Sequence, residues 1–290
     1  MKVSGFTIAR NICRFDYPAV ESIQSLLPLV DELVVACGQS EDETRERISA
    51  IGDSRIRIID TIWDESLREG GRVLADETNK ALAATAPDSD WCFYLQADEV
   101  LHEKDYPAIR EAMRACLNRP GVDGLLFDYR HFYGAYRYVG DSRAWYRNEI
   151  RVVRPQPGLH SYRDAQGFRI GNRKLRVCRA GAEVYHYGWV KNPRQQQEKQ
   201  RHFNKLWHPD EVVEARVGKA GDYDYALIDS LDLFRETHPA VMAGRIARMD
   251  WDFEFDISRK KRSLKDRLLG SFEALTGRRL FEYRNYRLIS

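Results

Sequence analysis

The sequence reads as an α/β protein built on a mostly parallel sheet flanked by helices, with a mainly helical C-terminal extension. Three observations carry this reading. Apolar strand-like runs and amphipathic helical runs alternate over roughly the first hundred residues, the spacing of βαβ units. Capping residues, prolines and glycines fall at the expected ends of those runs. The apolar run Trp91-Cys92-Phe93-Tyr94-Leu95 stops abruptly at Asp98-Glu99, and an acidic pair at the end of a buried strand must either meet water or hold a cation.

Gly5–Ala9 reads as the first strand, and Pro18 suits the first position of a helix running to Leu27. Glu32–Cys37 is a second apolar strand. Ser40 and Glu43 have capping-box spacing for a helix through Ile51, and Ile56–Asp60 is a third strand. Arg72–Thr85 forms a polar-faced helix before the fourth strand, Trp91–Leu95. Helical connections of this length imply parallel pairing with right-handed crossovers. After a helix over about 105–118 the pattern changes: Gly124–Tyr133, Glu149–Arg154 and Glu183–Trp189 read as strands, separated by long loops rich in aromatic and basic residues. A helix begins near Pro193 and carries Lys199, Arg201, His202 and Lys205; Lys191, Lys199 and Lys205 could reach a bound anion, and a solvated helix face explains the last two at least as well. Trp251, Phe253, Phe255 and Ile257 alternate with acids, a period-two strand signal. Leu264, Leu268, Leu269, Phe272 and Leu275 then recur at helical spacing among lysines and arginines.

Composition narrows the partners. A 43% hydrophobic, 11% aromatic chain of 290 residues buries a large core. The 46 basic and 44 acidic residues nearly cancel, so no global field draws nucleic acid or membrane. Arginines between Tyr129 and Arg154 interleave with Tyr133, Tyr136, Tyr138 and Trp145 in a way that suits bases or sugar faces, and the near-neutral charge favours sugar. Five scattered cysteines without CxxC spacing fit reduced thiols. With no apolar stretch of membrane-spanning length and no signal-peptide layout, a cytoplasmic location is expected, at most on the inner face of a membrane.

Ligands in such sheets sit beyond the carboxyl ends of the strands. Arg10-Asn11, Cys37 to Asp42, Asp60 to Asp64 and Gln96 to Glu99 therefore converge on one edge. Arg68, Gly70, Gly71 and Arg72 form a basic, glycine-bearing loop suited to a diphosphate, with backbone amides and paired arginine donors facing phosphate oxygens.

Taken in order, these segments resemble the GT-A-fold glycosyltransferases, in particular the inverting family 2 type that uses a nucleotide-diphosphate sugar. The resemblance covers roughly the first two thirds of the chain and rests on order and context more than on one motif. Ile8-Ala9-Arg10-Asn11 matches the polar end of the family's first strand. Ser40, Asp42 and Thr44 remain of its Asp-Asp-Gly-Ser-x-Asp-x-Thr pattern, with Cys37 and Gly38 in place of the paired aspartates. Asn79 remains of its Ala-Arg-Asn, and Gln96-Ala97-Asp98 stands where Asp-x-Asp is usual.

The resemblance implies a GT-A (Rossmann-like) domain over residues 1–210, with a nucleotide-binding half (1–118), an acceptor-binding half (119–210) and an extension from 211 to 290. It implies a manganese or magnesium ion on Asp98, with His186 of Tyr185-His186-Tyr187-Gly188-Trp189 returning as the second protein ligand. Arg10, Asn11, Cys37, Asp42, Asp60, Arg68, Gly71, Arg72, Asn79, Gln96, Ala97 and Lys191 are expected around the donor, and Glu99 as a support of the loop or a contact to the sugar rather than a metal ligand. Glu149 is expected to be the base that takes the acceptor proton, with Asp141 and Asp128 in reserve.

The implied activity is metal-dependent transfer of a sugar onto a glycan, lipid-linked or protein acceptor. Two alternatives remain open: a nucleotidyltransferase of related fold, against which Arg10-Asn11-Ile12-Cys13 lacks a glycine-rich loop, and a non-catalytic sugar- or nucleotide-binding module. The basic C-terminal segment either approaches anionic lipid or packs on the core or on a second subunit of a homodimer.

Overall fold

Both faces of the first, second and fourth strands are buried, and this fixes a central sheet covered on two sides. Residues 1–67, 69–208, 211–213 and 221–289 are described by the computed structural model. β1 (Val3–Ala9), α1 (Ala19–Leu26), β2 (Glu32–Gly38), α2 (Thr44–Ser49), β3 (Ile56–Thr61), α3 (Arg72–Ala83) and β4 (Trp91–Tyr94) alternate in the expected way. On β2, Leu33, Val35 and Cys37 join the cluster under α1 and α4 (Tyr106–Leu117), while Val34 and Ala36 join the cluster under α3. That two-sided burial explains runs of apolar residues without polar alternation. The four strands are parallel, in the order β3-β2-β1-β4.

β5 (Glu99–Leu101), β6 (Gly124–Tyr133), β7 (Ala135–Gly140), β8 (Asn148–Val153), β9 (Leu159–Tyr162), β10 (Gly167–Ile170) and the long β11 (Arg173–Trp189) extend the sheet to β3-β2-β1-β4-β8-β6-β11-β10-β9. Beyond β4 the pairing alternates, with β6 parallel to β11 but antiparallel to β8, so the sheet as a whole is mixed. β8 runs antiparallel between β4 and β6, and β5 pairs antiparallel with β11. Tight turns such as the one at Gly134 (φ 71°) replace crossover helices here.

After α5 (Pro193–Lys205), the C-terminal residues are not mainly helical. β12 (Leu231–Leu233) pairs with β7 and β13 (Tyr286–Leu288) with β11, so the segment is sewn into the sheet; α6 (Ala243–Ala247) and α7 (Leu264–Thr276) lie between. The expected strand over 251–257 is an extended stretch without a ladder. Its alternation is real in burial, because Phe253, Phe255 and Ile257 pack on Tyr133, Tyr138 and Tyr225, and the Trp251 indole donates to the Gly134 carbonyl at 2.7 Å. The capping box also fails: Ser40 Oγ donates to the Gly38 carbonyl, and Glu43 at the start of α2 makes no side-chain cap bond.

Candidate active site

A cavity of about 960 Å3 opens at the carboxyl ends of β1 and β4, walled by β8, α5 and the C-terminal segment. Arg10, Gln96, Ala97, Asp98, Glu149 and His186 all line it. Asp98 lies directly before β5, and β5 sets His186 of β11 opposite Glu99, while β6 sets His131 opposite His186 on the other side. This three-strand register carries a residue remote in sequence to the end of β4. His186 Nε2 sits 3.6 Å from Asp98 Oδ2.

The protonation of this pair follows from the network behind it. His131 Nε2 lies 2.8 Å from the Tyr146 carbonyl oxygen, which only accepts, so that nitrogen carries a hydrogen. Burial, with His186 adding to it, pushes His131 down to about 3, so its ring is neutral and its Nδ1 is bare. His186 Nδ1, 3.1 Å away, must then donate to it. In neutral His186 this leaves Nε2 bare and aimed at a carboxylate oxygen, an arrangement that repels unless a cation or proton lies between. Burial pushes the Asp98 carboxyl up, but the charged form of His186, with Lys199 and Lys191, outweighs it and holds the group well below the usual range, as any proton or cation between the two groups would.

Gly188 leaves the space open: a Cβ there would lie 2.5 Å from Asp98 Oδ2 and 2.8 Å from His186 Nε2. One carboxylate, one imidazole nitrogen that is bare when the ring is neutral, and a gap beside both fit manganese or magnesium. No cluster of three or more acidic, histidine or cysteine ligands occurs among the described residues. The protein thus supplies two donors, and such ions commonly complete their shell with water and substrate phosphate.

Lys199 is the second cation of the site. It is buried rather than solvated: its ammonium donates to the Gly188 carbonyl at 2.8 Å, lies 3.5 Å from Asp98 Oδ2, and sits over the Tyr17 ring. α5 buries Gln196 and Lys199 on its inner face. With no apolar stripe to mark that face, sequence periodicity does not reveal it. His131 was missed for a related reason, since only strand register shows which residues become neighbours.

Below the Asp98–His186 pair lies a buried polar floor. Arg151 donates from Nε and Nη2 to the two Glu99 oxygens at 2.7 and 2.6 Å, and both residues are fully buried. Glu99 also accepts from the Tyr129 hydroxyl and the Gln96 amide. It fixes the Gln96–Asp98 loop. Two positions along β8, Glu149 faces the same cavity; burial pushes its carboxyl up to about 8, Arg151 opposes the shift, and Glu99 and Asp164 add to it.

Several expected donor residues serve the scaffold instead. Asn11 (φ 51°) is buried and accepts from the Glu41 amide, and Asp42 accepts from the Arg14 and Thr44 amides, so both brace one loop. Cys37 is buried away from the cavity, its thiol pushed up to about 11 by burial. Asp60 pairs on the surface with Arg45 at 2.8 Å. Gly71 (φ 70°) caps α3 against Trp207 and donates to the Leu206 carbonyl at 3.0 Å. Arg72 is exposed and donates to the Glu69 carbonyl, while Asn79 ties α3 to β9 through the Ser161 amide. Lys191 is fully buried and holds the loop after β1 through the Phe15 carbonyl at 2.7 Å. Asp141 pairs with Arg262 at 2.7 Å and with Lys260, and Asp128 pairs with Arg179. Arg68 lies outside the described residues.

The aromatic stretch divides as well. Tyr133, Tyr136 and Tyr138 are core residues, whereas Arg143, Trp145, Tyr146 and Arg147 reach the cavity. On the opposite wall the Arg10 guanidinium lies 5.1 Å over the Trp63 ring.

No family model matches the chain, and no curated protein matches it. Among solved structures it is similar to glucosyl-3-phosphoglycerate synthase from Mycobacterium tuberculosis in complex with Mn2+, uridine diphosphate and phosphoglyceric acid (23% identity over 46% of this chain and 43% of that one, TM-score 0.29). It is also similar to mannosyl-3-phosphoglycerate synthase from Rubrobacter xylanophilus (23%, 45% and 41%, TM-score 0.32) and to S. aureus TarS (16%, 74% and 42%, TM-score 0.40). The chain spans less than half the length of each. These are partial likenesses, and the functional reading rests on the site. No helix among the described residues is long and apolar enough to cross a membrane.

Proposed function

We propose that the protein is a divalent-metal-dependent glycosyltransferase of GT-A type, which moves a sugar from a nucleotide-diphosphate carrier to a hydroxyl acceptor with inversion. The observation that carries this reading is the Asp98–His186 pair, a carboxylate oxygen and an imidazole Nε2 3.6 Å apart beside the gap at Gly188. Asp98 and His186 would hold the cation, which supplies charge neutralisation for a departing diphosphate.

The remaining parts belong to the chain. Glu149 takes the proton from the acceptor hydroxyl; its carboxyl, raised to about 8, suits a base that works near neutral to mildly alkaline pH. The acceptor oxygen forms its bond to the anomeric carbon on the face opposite the breaking bond to the diphosphate oxygen. Burial pushes the Lys199 ammonium down and Asp98 opposes the shift; in its charged form it adds positive charge at the leaving-group side, and the buried Glu99–Arg151 pair keeps the Asp98 loop from shifting. The cavity volume accommodates a nucleotide sugar and an acceptor group together.

A thermal-shift screen of nucleotide sugars with and without manganese tests the reading. The true donor stabilises the protein only with metal, in line with its occupancy, and manganese-dependent donor hydrolysis disappears in Asp98→Ala. Tight donor binding without turnover on any acceptor or water assigns the chain to the non-catalytic class instead.

A further inference from the structure

We propose that α7 docks the protein on an anionic phospholipid bilayer, with the mouth of the cavity turned toward the lipid. At about 100° per residue, Leu264, Leu268, Phe272 and Leu275 fall on one narrow face of α7. That face points outward: Leu264 is 76% exposed, Leu268 73% and Leu275 87%. The helix is held by its other side, where Glu273 accepts from Arg143 at 2.6 Å and from Arg147, and where Leu269 lines the cavity. A surface helix of a globular protein ordinarily turns its apolar stripe inward, so α7 is mounted inside out. Phe281, 87% exposed, and Leu280 extend the apolar surface past the helix end.

The rim of this face carries one sign of charge. Residues 259–267 contain six basic side chains and one acid, Asp266. Arg259, Lys261, Lys265 and Arg267 are exposed, whereas Lys260 and Arg262 anchor the segment on Asp141. An apolar face flanked by cations matches the acyl boundary and headgroups of an anionic bilayer. The same rim disfavours a second copy on this face, because a two-fold contact would bring the cations against each other. Lys265, Asp266 and Leu269 also line the cavity, so docking would set its mouth at the membrane. A lipid-carried acceptor is the consequence; it rests on the transferase reading, whereas docking does not.

Vesicle co-sedimentation of the full chain tests this without any transfer assay. The expected result is pelleting with vesicles of phosphatidylcholine containing roughly a third phosphatidylglycerol, little pelleting with phosphatidylcholine alone, and loss at high salt. Leu268→Glu combined with Leu275→Glu should lower the bound fraction about tenfold or more with an unchanged unfolding midpoint, since both side chains are exposed. Lys261→Glu with Arg267→Glu should remove the preference for the anionic vesicles. Equal binding to both vesicle types, variants that pellet like the wild type, or a vesicle-independent dimer dissolved by Leu268→Glu would each overturn the proposal.

Discussion

The Nδ1 atoms of His131 and His186 lie 3.1 Å apart, and this one contact decides which nitrogen of His186 faces Asp98. A neutral His131, pinned by the Tyr146 carbonyl, can only accept at Nδ1. On the proposed reading it is a positioning residue, acting through His186.

Replacing His131 should therefore act through metal affinity. His131→Phe is expected to weaken manganese binding about 10- to 100-fold, whereas His131→Asn, whose amide oxygen accepts the same hydrogen bond, retains most of it. Calorimetric titration checks this; equal losses in both variants would make the role one of packing alone.

Glu149 predicts a pH signature. If it is the base, transfer rises with pH to a plateau above about 8, and Glu149→Gln lowers kcat about 100- to 10,000-fold and flattens that limb. The same shift predicts the stability profile. A carboxyl raised in the folded state binds its proton more tightly there than in the unfolded chain, so its stabilising effect is complete below the unfolded value of 4.5 and lost as pH rises toward about 8. Unfolding stabilities of Glu149→Gln and wild type should diverge through that window and stay apart above about 8, with the variant the more stable there.

Much of the scaffold is legible in the sequence, and for physical reasons. β1, β2 and β4 are buried on both faces, so they read as unbroken apolar runs, and Asp98 stands out as the charge that ends one of them. The return of His186 rests on a resemblance, because β5 is only three residues long and leaves no periodic signal. Lys199 and His131 escape for a different reason: they sit on long elements, α5 and β6, but take part through tertiary packing and register, which no local window contains. Asn11, Asp42 and Asn79 illustrate the opposite error. Their residue types suit ligand contacts, but their hydrogen bonds are spent on backbone amides.

Lys199 and a bound cation both draw on Asp98. Lys199→Met should tighten manganese binding in the absence of nucleotide, by relieving competition for Oδ2, and at the same time weaken nucleoside-diphosphate binding. Opposite signs in the two titrations are the expected result; a parallel loss of both would assign Lys199 to the fold.

The Glu99–Arg151 pair predicts a thermodynamic asymmetry. Arg151→Met leaves a buried carboxylate without its partner and should destabilise by about 3–5 kcal/mol. Adding Glu99→Gln should recover a substantial part of that, as read from denaturant midpoints.

The account stands most directly on manganese binding measured by electron paramagnetic resonance, in the wild type, Asp98→Asn and Gly188→Ala. Gly188→Ala matters because its Cβ would fall 2.5 Å from Asp98 Oδ2, filling the gap without removing either donor. The prediction is about one ion per wild-type chain in the presence of a nucleoside diphosphate, and binding lost in both variants while they remain folded. Absence of binding in the wild type, or binding unchanged in Asp98→Asn, would contradict it.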